Sequence, residues 1–226
     1  MTVAAIETSG LAAGYHGVPA VSELDIYVNA GEIVALLGAN GAGKTTTIRA
    51  LSGQISPLAG TVRMAGADNL GPLHRRVRNG LGLLPETRCL FMGLTCRENL
   101  RLGSGSVETA LNYFPELEDR LDVRAGLVSG GQQQMLALAR VLAAKPQVLL
   151  ADELSLGLAP LVVRRLLDAL TEAAKAGAAV FMVEQHARVA LRAADRAYVL
   201  RRGRIVLSGT TAELREREEE VTSSYL

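Results

Sequence analysis

The segment GANGAGKT, Gly38 to Thr45, places three glycines and a lysine in a pattern that can bind phosphate. Glycines allow backbone conformations that direct N–H groups at phosphate oxygens. The Lys44 ammonium supplies a positive charge for the β- and γ-phosphates, and the Thr45 hydroxyl is suited to Mg²⁺. The segment follows the apolar run EIVALLG and precedes KTTTIRALSG, so it has the strand–loop–helix context that the P-loop pattern requires.

Two adjacent acidic residues end a second apolar run, VLLADE, in which Val148 to Ala151 predict a buried strand. Ligands of α/β sheets bind at the carboxyl ends of strands. Asp152 is therefore suited to hold Mg²⁺ directly or through water, and Glu153 can polarise a water on the γ-phosphate. Alone, the pair could simply cap the next turn; together with a P-loop, it predicts a catalytic site.

The segment VSGGQQQMLALAR, Val128 to Arg140, predicts a helix that begins with Ser129 as its cap. The N–H groups of such a helix start, next to Gly130 and Gly131, can bind an anion. Taken alone, this segment would be interpreted as a structural helix cap. A second phosphate-binding segment in a chain that already has a P-loop requires an explanation.

The elements around these segments predict an α/β fold, because buried strands alternate with amphipathic helices in an order typical of a mostly parallel sheet. The opening thirty residues predict an antiparallel β subdomain with a turn at Asn29–Gly31. Residues 88–128 predict a small inserted α-helical subdomain, which begins with a capping box, Thr95 to Glu98. We expect a P-loop NTPase core in a single domain, residues 1–226.

Composition excludes several classes of protein. The net charge of +1 argues against a generic nucleic-acid binder. No apolar run reaches the roughly 18–20 residues needed to cross a bilayer, and the N-terminus predicts no secretory signal. Cys89 and Cys96 match no metal-binding spacing and are expected to be small buried thiols. An apolar helix face is predicted by leucines at helical spacing, namely Leu161, Leu166, Leu167 and Leu170.

Together, the three motifs resemble those of the ATP-binding subunit of ABC transporters, in which the signature LSGGQ appears here as Val128 to Gln132. The resemblance implies that the signature serves an ATP held by the P-loop of another subunit, so that two subunits enclose two ATP molecules with Mg²⁺. It assigns ATP binding to Tyr15, Gly38, Ala39, Asn40, Gly41, Ala42, Gly43, Lys44, Thr45 and Thr46, and signature contacts in trans to Ser129, Gly130, Gly131 and Gln132. Tyr15 would stack on adenine; the alternative is a tyrosine that packs near a turn.

The resemblance also implies positions that couple ATP to transport. Glu86 stands where the family usually has a glutamine that contacts Mg²⁺ and the transporter. The switch histidine aligns with Gln185, and His186 follows one position later; either residue remains a candidate, and an exposed histidine at a helix start is the alternative for His186. The segment LSLGLAP departs from the family pattern at Leu154 and Gly157.

The segments LLPE, SLGLAP, VEQ and the terminal SSYL resemble the second ATPase of branched-chain amino acid importers. Importers of the urea type and of other hydrophobic amino acids or amides are similar and remain alternatives. This resemblance implies a peripheral subunit on the cytoplasmic face of the membrane. Its partners would be a second ABC ATPase subunit of the same or a related chain, integral membrane permease subunits and, indirectly, a solute-binding protein. It also implies no nucleic-acid partner.

Two other functions remain open from the sequence. One is a soluble ABC-type ATPase that acts as a clamp or regulator outside transport. The other is a nucleotide-binding interaction module with little hydrolysis, which the departures at Glu86, Leu154 and Gln185 would allow.

Overall fold

The structure is a computed structural model that describes residues 4–68, 70–217 and 221. The strands are β1 (Ile6–Tyr15), β2 (Val18–Leu24), β3 (Tyr27–Val28), β4 (Ile33–Leu37), β5 (Ala59–Met64), β6 (Leu81–Leu84), β7 (Val148–Asp152), β8 (Ala179–Glu184), β9 (Arg196–Arg201) and β10 (Arg204–Thr210). The helices are α1 (Lys44–Ser52), α2 (Leu73–Arg78), α3 (Cys96–Arg101), α4 (Val107–Tyr113), α5 (Gly130–Leu142), α6 (Pro160–Lys175), α7 (Ala187–Ala193) and α8 (Thr211–Glu216). Short 3-10 helices lie at Pro115–Arg120 and Ala125–Leu127.

The core is a six-stranded sheet in the order β10-β9-β4-β8-β7-β6. The neighbours from β9 to β6 pair in parallel, and only β10 pairs antiparallel. Every residue of β4, β7 and β8 is buried, as expected for apolar strands that are covered on both faces. The predicted α/β core with a mostly parallel sheet is confirmed. Because β4, β6, β7 and β8 are parallel, their carboxyl ends meet at one edge of the sheet.

The N-terminal strands form a separate antiparallel sheet, as predicted, in which β1 pairs with β2 and β3. A fourth strand, β5, also pairs with β1, although it follows α1 in the chain. Side chains of this sheet, including Ile6 and Leu24, pack in one cluster with Leu36 of β4 and Ile48 of α1. The antiparallel sheet therefore supports the element that leads into the glycine loop and the helix that follows it.

The interval 88–128 contains α3, α4 and both 3-10 helices. The predicted capping box at the start of α3 is present, with Thr95 and Glu98 bonding to each other's backbone N–H groups. Buried Phe114 and Leu117 belong to the same apolar cluster as Leu136 of α5. The helical interval thus packs against α5 and through it against the main sheet, and its limits as a subdomain stay a prediction.

Two expectations about individual side chains are wrong. Cys96 is buried, but Cys89 is exposed, because it lies in an irregular segment after β6 rather than in an apolar element. Leu166 and Leu170 are buried on α6, whereas Leu161 is 77% exposed in the first turn of that helix. The apolar face of α6 therefore begins after its first turn.

The end of the chain is only partly described. A capping box of Thr210 and Glu213 begins α8. Residues 218–220 and 222–226, and with them the terminal SSYL, lie outside the described residues. Within the described ranges, no helix is long and apolar enough to cross a membrane.

An ion pair between Glu32 and Arg196 joins the two sheets. Arg196, at the start of β9, bonds to the Glu32 carboxylate and donates to the Tyr27 carbonyl of β3 at 2.8 Å. Its guanidinium also lies 4.0 Å from the centre of the Tyr27 ring. Burial alone would raise the pKa of Glu32, but hydrogen bonds from Arg196 and Asn29 lower that pKa below its ordinary value. The pair therefore stabilises the folded protein in its ionised form.

We expect Arg196→Met to lower the free energy of unfolding at pH 7 by about 3 kcal/mol, since it leaves a mostly buried carboxylate without its partner. Because folding lowers the pKa of Glu32, the pair contributes stability above pH 4.5, the ordinary pKa of glutamate, and this contribution is lost as the pH falls through the folded pKa. The difference in the free energy of unfolding between Arg196→Met and the unmodified protein should therefore become smaller at acidic pH. Urea unfolding of both proteins across this pH range measures it.

The matched control is Arg63→Met, which breaks the exposed pair between Arg63 and Glu7. Exposed pairs contribute at most about 1 kcal/mol. A deficit for Arg196→Met no larger than that of the control would contradict a role for the Glu32 pair in joining the sheets.

Candidate functional site

The glycine loop connects β4 to α1, and its shape requires glycine. Gly41 and Gly43 have φ angles of 79° and 110°, in the left-handed region that side chains disfavour. A Cβ atom at Gly43 would lie 2.3 Å from Cγ1 of Val21, and one at Gly38 would lie 2.5 Å from the carbonyl oxygen of Leu200. The close neighbours on both sides of the loop thus fix the backbone that could surround a phosphate.

The loop ends at the amino terminus of α1. Gly43 occupies the N-cap position without a side-chain cap, so no side chain occupies the N–H groups of the first turn. Such N–H groups and the helix dipole favour an anion. Asn40 and Gly41 are exposed at the loop tip, whereas Ala42 and Thr46 are buried; Ala39 and Thr45 are partly buried. The nine candidate residues from Gly38 to Thr46 form one continuous segment, which runs from the end of β4 through the loop into the first turn of α1.

Lys44 is buried inside this turn, with only 4% of its side chain exposed. Its ammonium donates hydrogen bonds to the carbonyl oxygens of Gly38, at 2.9 Å, and Ala39, at 3.2 Å. It also lies 3.4 Å from Oε1 of Glu153. A fixed positive charge thus stands between the loop and the acidic pair, where it could attract phosphate oxygens.

The acidic pair lies beside the glycine loop. Asp152 is the last residue of β7, and Glu153 follows with a φ of 47°, which is uncommon for a residue with a side chain. The Glu153 N–H donates to the carbonyl of Val183, on the neighbouring strand β8, at 3.0 Å. This turn lets the two consecutive carboxylates take different directions at the end of the sheet.

Asp152 has the features of a residue that binds a cation. Burial, together with the nearby charges of Glu153 and Glu86 and against the opposing charge of Lys44, raises the pKa of Asp152 to about 6. Across the described part of the chain, its Oδ1 atom is the buried side-chain oxygen or nitrogen without a hydrogen-bond partner. A divalent cation would satisfy this oxygen and offset the excess negative charge.

Mg²⁺ fits these residues better than a metal that needs a cage of protein ligands. The described residues contain no group of three or more His, Cys, Asp or Glu side chains that could hold a metal. Mg²⁺ usually takes one or two carboxylates and completes its shell with water and substrate phosphates. Asp152 and the partly buried Thr45 could supply the protein ligands of such a shell.

Glu86 lies near Asp152, at the exposed start of the segment that follows β6. Its negative charge raises the pKa of Asp152, so the two carboxylates are close enough to repel each other. The same segment bonds to α5: Arg88 donates to the side-chain oxygens of Gln134, at 2.6 Å, and Gln133, at 3.0 Å. The Glu86 segment is thereby attached to the helix that carries the predicted signature.

Gln185 and His186 follow β8, which lies between β4 and β7 in the sheet. The strand order puts them between the glycine loop and the acidic pair. Gln185 is partly buried, and His186 is exposed at the N-cap of α7, where its side chain makes no capping hydrogen bond. The geometry favours neither residue as the switch, and both remain predictions.

Glu184, the residue before them, was not singled out from the sequence. It is 1% exposed, and both oxygens of its carboxylate accept hydrogen bonds from Ser155. Burial outweighs the opposing hydrogen bonds from Ser155, and the net effect raises the pKa of Glu184 to about 7. The one sequence signal that could have identified Glu184 was its position as a charged residue at the end of the otherwise apolar strand β8.

The predicted signature begins α5 as expected. Ser129 and Gln132 form a capping box, in which the Ser129 hydroxyl oxygen accepts the Gln132 N–H at 3.2 Å. Ser129 and Gly130 are exposed, and a Cβ atom on Gly131 would lie 2.9 Å from Val162 of α6. In the described ranges, the hydrogen bonds of Ser129 and Gln132 stay within the first turn of α5 and do not reach the glycine loop of the same chain.

Tyr15 ends β1 with 40% of its surface exposed. Its hydroxyl accepts a hydrogen bond of 2.9 Å from Arg49 of α1, the helix that follows the glycine loop. The contact holds the ring beside the nucleotide-binding elements, which is compatible with stacking on a base and with simple packing.

The chain matches a known family over more than half of its length: the ABC transporter family pattern fits residues 21–155. BraG of Pseudomonas aeruginosa, a high-affinity branched-chain amino acid transport ATP-binding protein, is 42% identical over 88% of this chain and 91% of its own. LivF of Archaeoglobus fulgidus, a probable branched-chain amino acid transport ATP-binding protein, is 33% identical over 95% of both chains. LptB of Escherichia coli, a lipopolysaccharide export system ATP-binding protein, is also 33% identical, over 99% of this chain and 98% of its own.

A solved structure agrees with these relatives. The structure of an ATP-binding subunit of an ABC transporter superposes with a TM-score of 0.83 at 29% identity, and the match covers 97% of this chain and 98% of that one. The chain therefore belongs to the ABC transporter family, as one of its ATP-binding proteins of the ATPase type.

Proposed function

We propose that the chain hydrolyses ATP to power the import of branched-chain or other hydrophobic amino acids through separate membrane permease subunits. The observation that carries this proposal is the 42% identity to BraG over 88% of the chain. The subunit would lie on the cytoplasmic face of the membrane as a peripheral protein. A solute-binding protein would be an indirect partner, and nucleic acid would not be one.

In the proposed reaction, the glycine loop binds the ATP phosphates through backbone N–H groups, and Lys44 attracts the β- and γ-phosphate oxygens. Tyr15 would stack on the adenine. Thr45 and Asp152 would hold Mg²⁺, which neutralises phosphate charge when it is bound. Catalysis would then consist of positioning and charge stabilisation by groups that are already fixed in the fold.

Glu153 is the candidate general base. Its carboxylate lies 3.4 Å from the ammonium of Lys44 and is 15% exposed, so it faces the phosphate site and remains open to water. In the proposed step, Glu153 accepts a proton from the water that attacks the γ-phosphate, and the bond from phosphorus to the bridging oxygen breaks. Gln185 or His186 would sense the γ-phosphate from the neighbouring strand.

A second ATPase subunit, of the same or a related chain, would complete each site. Ser129 and Gly130 are exposed at the amino terminus of α5, so another subunit's ATP could reach them. The Ser129 oxygen already accepts the Gln132 N–H, but its O–H can still donate to a γ-phosphate. Closure around ATP would reach the permeases through Glu86 and the helical interval, as a two-state change that the ligand favours.

Glu153→Gln should retain ATP binding and lower the rate of hydrolysis by roughly 10²- to 10⁴-fold, the scale of a lost general base. The amide keeps the size of the side chain but cannot accept the proton from water. Phosphate release measures the rate, and titration with ATP measures binding. Glu172→Gln, on an exposed residue of α6, is the control and should hydrolyse ATP at the unmodified rate. Unchanged hydrolysis by Glu153→Gln would remove this residue from the proposed role.

Ser129→Arg should abolish ATP-dependent dimerisation, because a large cation would fill the space that a partner's γ-phosphate needs. Light scattering with and without ATP measures the change, in the Glu153→Gln background to prevent hydrolysis. The control is Ser106→Arg, which removes the serine N-cap of another helix, α4. Loss of such a cap lowers the free energy of unfolding by about 1 kcal/mol, so this variant shows the effect of a lost cap alone. A Ser129→Arg protein that still dimerises with ATP would contradict the two-subunit site.

Membrane partners and cargo are tested by a pull-down of the tagged chain from membranes of its own host. We expect co-purification of hydrophobic permease subunits together with a second ATPase or a second copy of this chain. Recovery of the chain without any membrane protein would favour the soluble clamp instead. Partners that belong to a lipid exporter, as the relationship to LptB allows, would exclude amino acid import.

A further inference from the structure

Glu184 is an unusual residue for the end of a central strand, because it buries a carboxylate beside the candidate catalytic residues. Its Oε1 accepts the backbone N–H of Ser155 at 3.1 Å, and its Oε2 accepts the Ser155 hydroxyl at 2.7 Å. Glu153 and Lys44 both act on its charge, so it lies in the electrostatic field of the site. Both oxygens of the Glu184 carboxylate therefore accept hydrogen bonds from the same residue, Ser155.

Ser155 belongs to the turn that carries Glu153. Glu153 has a left-handed backbone with a φ of 47°, and a conformation of this kind persists only where the surroundings hold it. Two consecutive residues of β8 supply such contacts. The Val183 carbonyl accepts the Glu153 N–H, and the Glu184 carboxylate accepts both donors of Ser155.

A buried carboxylate at this position has an energetic cost, which its hydrogen bonds must offset. Burying a charge is unfavourable, and replacing buried polar groups by well-packed apolar ones is often neutral or stabilising. An apolar side chain would, however, leave the Ser155 N–H without its acceptor. The structure therefore uses a buried carboxylate where the backbone of the Glu153 turn needs an acceptor.

We propose that Glu184 is a positioning residue for ATP hydrolysis, which fixes the Glu153 turn through Ser155 and links it to the switch position Gln185. This inference rests on the role proposed above for Glu153. Because Glu184 and Gln185 are consecutive, a movement of Gln185 when the γ-phosphate binds would also shift Glu184. Through its hydrogen bonds to Ser155, Glu184 would then move the Glu153 turn. Glu184 itself would touch neither ATP nor water in this reaction.

The test compares Glu184→Ala, Glu184→Gln and Ser155→Ala in the full chain with its ATPase partner, with kcat and the Kd for ATP measured separately. Glu184→Ala should lower kcat by about 10- to 100-fold, the scale of a reacting group displaced by about 1 Å, with an unchanged Kd. Glu184→Gln should recover most of this loss, because its amide oxygen can accept the Ser155 N–H and its NH₂ can donate to the hydroxyl. Ser155→Ala should lower kcat less than Glu184→Ala, since the backbone bond remains.

The control is Thr8→Val, which removes a buried hydroxyl that bonds to the Leu24 carbonyl and the Ile26 N–H, in the antiparallel sheet. It should lower Tm and leave the kcat of the folded protein unchanged. A Glu184→Ala protein that behaves like this control would overturn the inference. If Glu184→Ala does not fold, Ser155→Ala decides: a lowered kcat supports the inference, and an unchanged kcat overturns it.

The double variant Glu153→Gln with Glu184→Ala separates this inference from the proposed role of Glu153. If Glu184 acts through Glu153, the double variant should be no slower than Glu153→Gln alone. A further loss in the double variant would overturn the inference but leave the role of Glu153 intact. Full hydrolysis by Glu153→Gln alone would instead reject the proposed role of Glu153.

Discussion

Parallel pairing of β4, β8, β7 and β6 is the constraint on which the site depends. Because these strands run in one direction, the segments that follow them must emerge at the same edge of the sheet. The glycine loop, Glu184, Asp152 and Glu86 come from distant parts of the sequence, yet each is the end of a strand or begins within two residues of one. Their proximity is therefore a property of the sheet, and loops alone could not hold these charged groups together as firmly.

Crowding of carboxylates at this edge gives the site its electrostatic character. Asp152, Glu153 and Glu184 approach one buried ammonium, that of Lys44, and burial together with mutual repulsion raises the pKa of Asp152 to about 6 and of Glu184 to about 7. Such a site favours the arrival of positive charge. A nucleotide that arrived with a divalent cation would bring positive charge for the carboxylates and phosphates for Lys44 and the helix dipole.

Features that depend on neighbouring residues were predictable from the sequence. The glycine loop, the strand that ends in Asp152, the capping box at Thr95 and the Ser129 helix cap are set by local chemistry, and the structure has each of these elements as predicted. Features that depend on distant partners were not predictable. The strand β5 pairs with β1 across the loop and α1, and Glu184 meets Ser155 across 29 positions. The choice between Gln185 and His186 depends on contacts with a bound nucleotide, because both residues directly follow the same strand at the site.

The length of α5 has a mechanical consequence. Its thirteen residues form one uninterrupted rod of about 20 Å, from the exposed Ser129 cap to buried Leu142. If the rod pivots at its buried end, a tilt of about 5° moves its tip by nearly 2 Å, which exceeds the tolerance of a hydrogen bond to phosphate. Small angular changes at the bonds from Arg88 to Gln133 and Gln134 would therefore become a larger displacement of the exposed Ser129 end, so that α5 acts as a lever arm.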